Sequence, residues 1–251
     1  MSERPRLRPL TESWQRGLAV VAHPDDMEFG AAAAIARWTS QGKSIAYCLV
    51  TSGEAGIDSM TPQECRSVRE AEQRHSCEIV GVTEVEFLGF PDGILEYGVE
   101  LRRAIAGAVR RFQPEIVITN NFHPTWGNAG LNQADHIATG RATLDAVRDA
   151  GNRWIFNEQL VDGLEPWGGV KQVWAAGSPL SGHGVDTTEH FAAGVESLRA
   201  HQAYIDGLGW EFFDPEEFLE GGARPTGAAL GSTFGASFEV YHLGWGATDD
   251  D

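Results

Sequence analysis

Short apolar runs alternate with helix-like segments through the first half of the chain, and this alternation restricts the fold more than any other feature. Each run has the length of a strand, and the segments between runs carry helical spacing or helix caps. Such alternation predicts a parallel sheet covered by helices on both faces, an α/β three-layer sandwich of Rossmann-like type. The predicted elements are strand 17–21, helix 30–38, strand 44–51, helix 61–80, strand 85–88, helix 100–112 and strand 115–119.

The second half is less regular. We predict a helix over 135–150, a strand over 170–176, one helix over 187–208 despite Gly194, and a last strand over 237–242. The glycine- and alanine-rich stretch 221–235 predicts a loop, and the acidic tail 249–251 predicts a solvated end. The three arginines near the start predict a flexible arm or a cover for part of the surface; they are Arg4, Arg6 and Arg8.

Composition narrows the class of protein. The chain has 251 residues, 42% of them apolar, which supports one large domain with a substantial core, or a domain with a smaller C-terminal addition. We predict a single domain, 1–251, with its core in 15–150 and with 151–251 completing the sheet and the pocket at its edge. A formal net charge of −17 argues against nucleic acid and anionic membranes as partners.

Location is inferred from what the sequence lacks. No apolar run reaches the roughly 20 residues that a membrane span requires, and the first ten residues lack the apolar core of a secretory signal. Three cysteines without a Cys-x-x-Cys pair suggest reduced thiols in a cytoplasm. These cysteines are Cys48, Cys65 and Cys77.

The first strand leads directly into Ala-His-Pro-Asp-Asp, residues 22–26. An imidazole and two carboxylates at an open strand end are ligands that a metal requires. If His23 and Asp26 bind a metal, Asp25 is left over as a candidate general base for an activated water. The alternative is a polar turn in which Asp25 or Asp26 caps the next helix.

A long polar segment, 120–136, joins a predicted strand to a predicted helix and ends in Asp135-His136. Loops of this length inside compact domains are usually functional. Two histidines, a carboxylate and a water make a catalytic zinc site, so His136 is the third candidate ligand. Asp135 would form a hydrogen bond to one of the metal-binding side chains and fix its orientation. His123 competes for the ligand role, and the alternative for it is a loop histidine with no special function.

Together these motifs resemble the PIG-L / LmbE family of zinc-dependent deacetylases, and the match covers most of the chain. The family hydrolyses N-acetyl groups, typically from small molecules that contain N-acetylglucosamine. The order and spacing of the pieces carry the resemblance: they are 22–26 (Ala-His-Pro-Asp-Asp), 51–56 (Thr-Ser-Gly-Glu-Ala-Gly), 69–72 (Arg-Glu-Ala-Glu), 87–93 (Phe-Leu-Gly-Phe-Pro-Asp-Gly), Asp135-His136, and 197–201 (Ser-Leu-Arg-Ala-His).

The resemblance implies a role for each matching residue. It implies zinc on His23, Asp26 and His136 and makes Asp25 the general base. Arg69 would contact substrate or order the loop that holds Glu54, and Glu54 is itself a candidate substrate contact. Alternatively, Arg69 is a surface i,i+3 partner of Glu72.

Asp92 would bind a sugar hydroxyl, or it is a turn residue before Gly93. His201 matches a position on a late helix, for which we expect a structural role.

The chain departs from the family at one position. The family usually reads His-Pro-Asp-His where this chain has Gln133-Ala134-Asp135-His136. Glutamine donates a hydrogen bond to an oxyanion but supplies no proton at neutral pH. His183, flanked by glycines after a predicted strand, is the candidate substitute; an exposed loop histidine is the alternative.

The sequence therefore predicts a zinc-dependent hydrolase of an N-acylated amino sugar, with iron(II) as the alternative metal. An amidase for a larger thiol-sugar or natural-product conjugate, and a non-hydrolytic zinc and amino-sugar binder, remain open. A dinucleotide-binding protein is disfavoured because no glycine-rich phosphate loop follows the first strand. Homo-oligomerisation is compatible with the sequence. Four aromatic residues would form stacking walls or belong to the core: Phe122, Trp126, Trp167 and Trp210.

Overall fold

The computed structural model describes residues 7–244, and in them one eight-stranded sheet lies between two helical layers. Its spatial order is β1-β7-β8-β6-β5-β2-β3-β4, parallel throughout except that β8 runs antiparallel to both of its neighbours. The strands are β1 (Arg8–Pro9), β2 (Arg16–Val21), β3 (Ser44–Leu49), β4 (Glu84–Phe87), β5 (Ile116–Asn120), β6 (Gln172–Ala176), β7 (His183–Asp186) and β8 (Gly235–His242).

Eight α-helices are present between residues 7 and 244. They are α1 (Ala32–Ser40), α2 (Pro62–Ile79), α3 (Val99–Phe112), α4 (Ala134–Gly151), α5 (Glu158–Val161), α6 (Phe191–Arg199), α7 (Gln202–Gly207) and α8 (Pro215–Leu230). None of the helices in this range combines the length and the apolar character that a membrane crossing requires.

Two apolar cores, one on each face of the sheet, define the layers. Helices α1, α2 and α6 pack together on one face, where Trp38 and Trp174 are fully buried. Helices α3 and α4 cover the other face, with Ile105 and Ala142 in the core. Alternate residues of the central strands enter opposite cores, as a sheet covered on both faces requires. The predicted α/β three-layer fold is confirmed.

Local signals in the first half of the sequence lead to the expected elements. At α2, Thr61 accepts the backbone N–H of Glu64 while the Glu64 carboxylate accepts from Thr61, with Pro62 in the first turn. The helix ends at Ile79, and Gly81 follows with φ +77°. The capping box is therefore confirmed, and the left-handed glycine lies one residue beyond the C-cap, Val80.

Three predictions for the second half are wrong. The loop predicted over 221–235 is wrong for 221–230, because α8 continues through Gly221, Gly222 and Pro225 to Leu230, and only 231–234 form a turn before β8. Packing of α8 on β8 and α6 outweighs the poor helix propensity of these residues.

The single helix predicted over 187–208 is divided into α6 and α7 by Ala200 and His201. The segment after β6 contains strand β7, which begins at His183. Arg8 lies in β1, whereas Arg4, Arg6 and the tail 249–251 lie outside the described residues.

The strand order brings the functional loops together. Strand β2 lies between β5 and β3, with β4 beyond β3, and all four run parallel. Their carboxyl ends therefore meet at one edge, which is where ligands bind in open α/β sheets. The loops after β2 and β4 carry His23 and Asp92, and the first turn of α4, which follows the loop after β5, carries His136.

Candidate metal centre and active site

Three donor atoms converge at the carboxyl edge of the sheet: His23 Nδ1, Asp26 Oδ1 and His136 Nε2, here called the donor triangle. His136 Nε2 lies 2.9 Å from Asp26 Oδ1 and 3.2 Å from His23 Nδ1, and the third side measures 3.8 Å. Tetrahedral ligands with metal bonds of 2.0–2.1 Å are separated by about 3.3 Å. The donor triangle thus has the size and chemistry of a three-ligand metal site.

The outer nitrogen of His23 is held by two carboxylates. His23 Nε2 lies 3.0 Å from Asp92 Oδ1 and 3.3 Å from Asp135 Oδ2. The Asp135 carboxylate also accepts the backbone N–H groups of Gly93 and Leu95, at 2.7 and 3.0 Å. A carboxylate behind a ligating histidine sets the ring orientation and raises the basicity of the ligand. Asp135 and Asp92 therefore orient His23 in this structure.

His136 is held differently, through a neutral amide. Its Nδ1 contacts Asn132 Oδ1 at 2.8 Å, and the same oxygen accepts the backbone N–H of Gln133. Asn132 Nδ2 donates to the carbonyls of Asn121 and His123, at 2.8 and 2.9 Å. Since carbonyls only accept, the amide nitrogen faces them and the oxygen faces His136. The His136 proton is thereby placed on Nδ1, which leaves Nε2 free to bind a metal.

Sequence reasoning missed Asn132. It adjoins the motif 133–136. Its side-chain amide, like that of glutamine, offers two N–H donors and one carbonyl acceptor. That signal marks a residue able to cross-link a loop, but its contacts across 121–136 exist only in the folded chain.

Asp25 lies beside the donor triangle without belonging to it. Its backbone has φ +80°, in the left-handed region where aspartate is more tolerated than most residues. Its N–H donates to Gln73 Oε1 at 2.9 Å, and its carboxylate forms a buried ion pair with Arg69. Burial raises the pKa of Asp25, and the charge of Arg69 opposes that rise. Strained backbone at a charged pocket is typical of functional sites.

Arg69 is buried, only 2% exposed, so the alternative of a surface partner for Glu72 is wrong. Its guanidinium donates to the carbonyls of Gly53 and Pro24, at 2.9 and 2.7 Å, and lies over the ring of Tyr204. Glu72 instead accepts the backbone N–H of Ala203.

Glycine is required where Arg69 passes the loop after β3. A Cβ on Gly53 would lie 2.0 Å from the Arg69 guanidinium, and one on Gly56 would lie 2.5 Å from it. Arg69 therefore joins the loops after β2 and β3 and fixes the Asp25 carboxylate.

The charge distribution favours a cation at the donor triangle. Burial alone would raise the pKa of Asp26, but the charges and hydrogen bonds of His136 and His23 hold it well below its usual range. Burial likewise opposes a proton on His23, yet hydrogen bonds to Asp135, Asp26 and Asp92 raise its pKa. An environment that stabilises positive charge on the buried His23 imidazole fits a metal ion, which such ligands hold in other proteins.

A cavity of about 860 Å³ opens over this centre. Asp25, Arg69 and Asp92 line its buried end, and Gln133, at the N-cap of α4, lines its exposed part. Of the four aromatic candidates, Trp126 and Trp210 line the cavity. Trp126 contacts the ring of His136 edge to face, with centroids 6.0 Å apart.

Other predicted residues do not reach the cavity. Neither Glu54 nor His183 is among the described residues that line the cavity. Glu54 pairs with Arg66 at 3.0 Å and accepts the N–H of Ser52. His183 is buried in β7, in register with Arg8 and Phe238, because the expected loop continues as a strand.

Three more candidates have structural contacts instead. His123 Nε2 contacts Glu239 at 2.7 Å and stacks on Phe122, so it is not part of the donor triangle. Trp167 donates to the carbonyl of Pro114. His201 is fully buried, with Nε2 3.9 Å from Glu28.

Comparison with known proteins adds an independent line of argument. Residues 18–147 match the PIG-L family, described as GlcNAc-PI de-N-acetylase. The chain is 27% identical over 201 residues to the diacetylchitobiose deacetylase of Thermococcus kodakarensis, which covers 79% of this chain and 73% of that protein.

Two solved structures share the fold. The N,N′-diacetylchitobiose deacetylase of Pyrococcus horikoshii superposes with a TM-score of 0.83 at 23% identity, over 92% of this chain and 85% of that one. GalB, the 4-carboxy-2-hydroxymuconate hydratase of Pseudomonas putida KT2440, superposes with a TM-score of 0.75 at 18% identity, over 93% and 99%. Since a deacetylase and a hydratase share this architecture, the fold alone does not decide the reaction.

Proposed function

Because the chain belongs to the PIG-L family, we propose that it is a metal-dependent hydrolase that removes the N-acetyl group from a small molecule containing N-acetylglucosamine. The observation that carries this proposal is the position of Asp25. A buried carboxylate that is not a member of the donor triangle lines the same cavity directly beside it. Metal-assisted amide hydrolysis requires such a base next to the metal.

His23, Asp26 and His136 would hold the ion, for which zinc is the first candidate and iron(II) the alternative. When bound, zinc would polarise the amide carbonyl and lower the pKa of a water toward about 7. Asp135 and Asp92 keep His23 oriented, and Asn132 keeps the His136 proton on Nδ1.

Asp25 would accept a proton from the attacking water as its oxygen bonds to the acetyl carbon. The Arg69 ion pair holds the Asp25 carboxylate in the orientation that this transfer requires. When the C–N bond breaks, Asp25 would return the proton to the leaving nitrogen, so that acetate and a free amine are formed. The structure places His183 outside the cavity, so the return of the proton is assigned to Asp25.

Gln133 would donate a hydrogen bond from its amide to the oxyanion of the tetrahedral intermediate. It lies at the N-cap of α4 and lines the cavity. An amide in this position stabilises charge without exchanging a proton, and this explains how the chain can replace the histidine usual in the family.

Acetate release from N-acetylglucosamine compounds by the zinc-loaded protein tests the proposal. We expect Asp25→Asn to lower kcat by roughly 10²–10⁴-fold, the usual contribution of a general base. Asparagine tolerates the left-handed backbone at this position, so a folded, metal-loaded variant is expected, although loss of the ion pair with Arg69 lowers its stability. Asp162→Asn, at an exposed aspartate, is the matched control and should release acetate like the unaltered protein.

Two results would contradict the proposal. The first is unchanged acetate release by Asp25→Asn. The second is the absence of release from every compound while zinc is bound and the fold intact, a result that would favour a binding role.

A further inference from the structure

The two ends of the site cavity differ in chemistry, and this difference carries an inference that rests on the proposed function. We infer that the exposed end binds an uncharged ring attached to the reacting amino sugar, either a second pyranose or an aromatic ring, and disfavours anionic groups. The substrate would then be a neutral glycoside of N-acetylglucosamine and not a phosphate or carboxylate conjugate.

Apolar side chains form the exposed end on one side. Phe29, Leu208, Trp210 and Phe218, here called the outer wall, line the cavity. Trp210 is 53% exposed and Phe218 47% exposed, so both rings present apolar surface to solvent in the absence of a ligand. Phe218 packs edge to face on Phe29 with centroids 5.4 Å apart, which holds the wall in place. Flat rings of this type bind the apolar face of a ligand ring.

The charges that line the cavity are all at its buried end and already have partners. Asp25 is paired with Arg69, and Asp92 contacts His23 and the backbone N–H of Ala55. Among the described lining residues of the exposed end, none is lysine or arginine. A phosphate or carboxylate there would lose water without gaining a cation, which is costly.

The segment that carries three of the four outer-wall side chains is acidic. Residues 201–223 contain no lysine or arginine, and they contain six acidic residues: Asp206, Glu211, Asp214, Glu216, Glu217 and Glu220. Glu216 and Glu220 pair with Arg199 and Arg224, which flank the segment, so the excess negative charge comes from the other four. Together with the net charge of −17, this segment lowers the local concentration of anionic ligands at the cavity entrance.

The cavity is also larger than the chemistry at its buried end requires. Its volume of about 860 Å³ lies toward the upper end of the roughly 300–1,000 Å³ typical of sites for drug-sized ligands. The distribution of polar groups at one end and exposed rings at the other fits a ligand with an acetamido sugar at one end and a second ring at the other.

Four substrates separate the possibilities: N-acetylglucosamine, N,N′-diacetylchitobiose, 4-nitrophenyl N-acetyl-β-glucosaminide and N-acetylglucosamine 1-phosphate. With zinc-loaded protein we expect both ring-bearing neutral compounds to have a KM roughly 3- to 10-fold below that of N-acetylglucosamine, the range for one or two aromatic contacts. The phosphate should have the highest KM. A low KM for the disaccharide alone identifies a sugar ring, and a low KM for the aryl compound alone identifies an aromatic ring.

Variants of the outer wall test the same inference. Trp210→Ala and Phe218→Ala should raise KM for the ring compounds roughly 3- to 10-fold and leave their kcat near that of the unaltered protein. Phe212→Ala is the matched control, because Phe212 belongs to the same segment, is 91% exposed and is not among the lining residues. It should change neither constant.

The inference is overturned if the phosphate has a KM as low as the neutral ring compounds, or if the two wall variants behave like Phe212→Ala. If no compound releases acetate, the proposed function fails by itself. Calorimetric binding of the aryl glycoside and of the phosphate to the same protein then decides this inference separately: preference for the aryl compound supports it, and equal or reversed affinity overturns it.

Discussion

The buried and exposed ends of the cavity are built from different parts of the chain by different interactions. The buried end comes from the loops after β2 and β4, from Arg69 on α2 and from the first turn of α4, and its side chains have several polar partners. The exposed end comes mainly from 204–218, and its rings have packing contacts on one side and solvent on the other. Catalysis needs groups held in one geometry, whereas selectivity among ligands needs surface that is left uncovered.

The contrast between the two ends of the cavity predicts that substitutions at the buried end lower both stability and activity. Substitutions at the exposed end should change only ligand affinity. The strongest test concerns Arg69. Arg69→Met removes the partner of a buried carboxylate and should lower the free energy of unfolding by about 3–5 kcal/mol. Urea denaturation at neutral pH, with the metal load matched, measures it.

Arg66→Met is the matched control for Arg69, since both arginines lie on α2 and both pair with a carboxylate. The Arg66 side chain is 45% exposed, and surface pairs contribute about 0–1 kcal/mol. Equal losses of unfolding free energy in the two variants would contradict a larger stabilising role for the buried Arg69–Asp25 pair.

A smaller effect is expected at Asn132, the neutral side chain that orients His136, whereas carboxylates orient His23. Asn132→Leu removes the acceptor that places the His136 proton, and metal affinity should fall about 10–100-fold. Asn132→Asp retains the acceptor for His136 but makes an oxygen face the carbonyls of Asn121 and His123 in place of the donating nitrogen, so it tests the contacts to the loop separately from the contact to His136. Competition with a chromophoric chelator measures the affinity without reference to activity.

Asn128→Leu provides the comparison for this loop, because Asn128 is exposed in the same segment and lies outside the contacts of His136. It should bind metal like the unaltered protein. Metal affinity in Asn132→Leu equal to that of Asn128→Leu would remove the positioning role of Asn132.

The smallest effect is expected at the start of α2, far along the helix from Arg69 and Gln73. Thr61→Ala removes the N-cap and should lower stability by about 1 kcal/mol, with acetate release unchanged. Ser67→Ala, at an exposed position in the middle of the same helix, should leave stability near its starting value. Thermal unfolding compares the two, and a loss of activity in Thr61→Ala would indicate that the cap helps to position the site.

The first half of the fold could be predicted because its signals are local. The boundaries of β2, α2 and α3 agree with the expected ones to within one or two residues, since apolar runs, a capping box and a terminating proline act through neighbouring residues. Helix α8 could not be predicted from its glycines and Pro225. Its start was nevertheless marked by Asp214, which accepts from the N–H groups of Glu216 and Glu217.

The candidate site likewise has features that the sequence predicted and features that it did not. The motif 22–26 and the pair Asp135-His136 identified the donor residues, because ligand types at strand ends are visible in the residues themselves. The position of Asp92 behind His23, the burial of Arg69 and the amide of Asn132 were not visible. The first two depend on contacts between segments far apart in the chain, and the third depends on how the segment 121–136 folds on itself.

By itself the sequence determined the alternation of strands and helices, the acidic character of the surface and the chemical types available at the strand ends. Only the tertiary structure decided which of those groups meet. It buried Arg69 against Asp25, placed His183 in a strand outside the cavity and left the rings of Trp210 and Phe218 facing solvent. The physical reason is that local propensity acts over a few residues, whereas burial and charge pairing depend on which distant segments pack together.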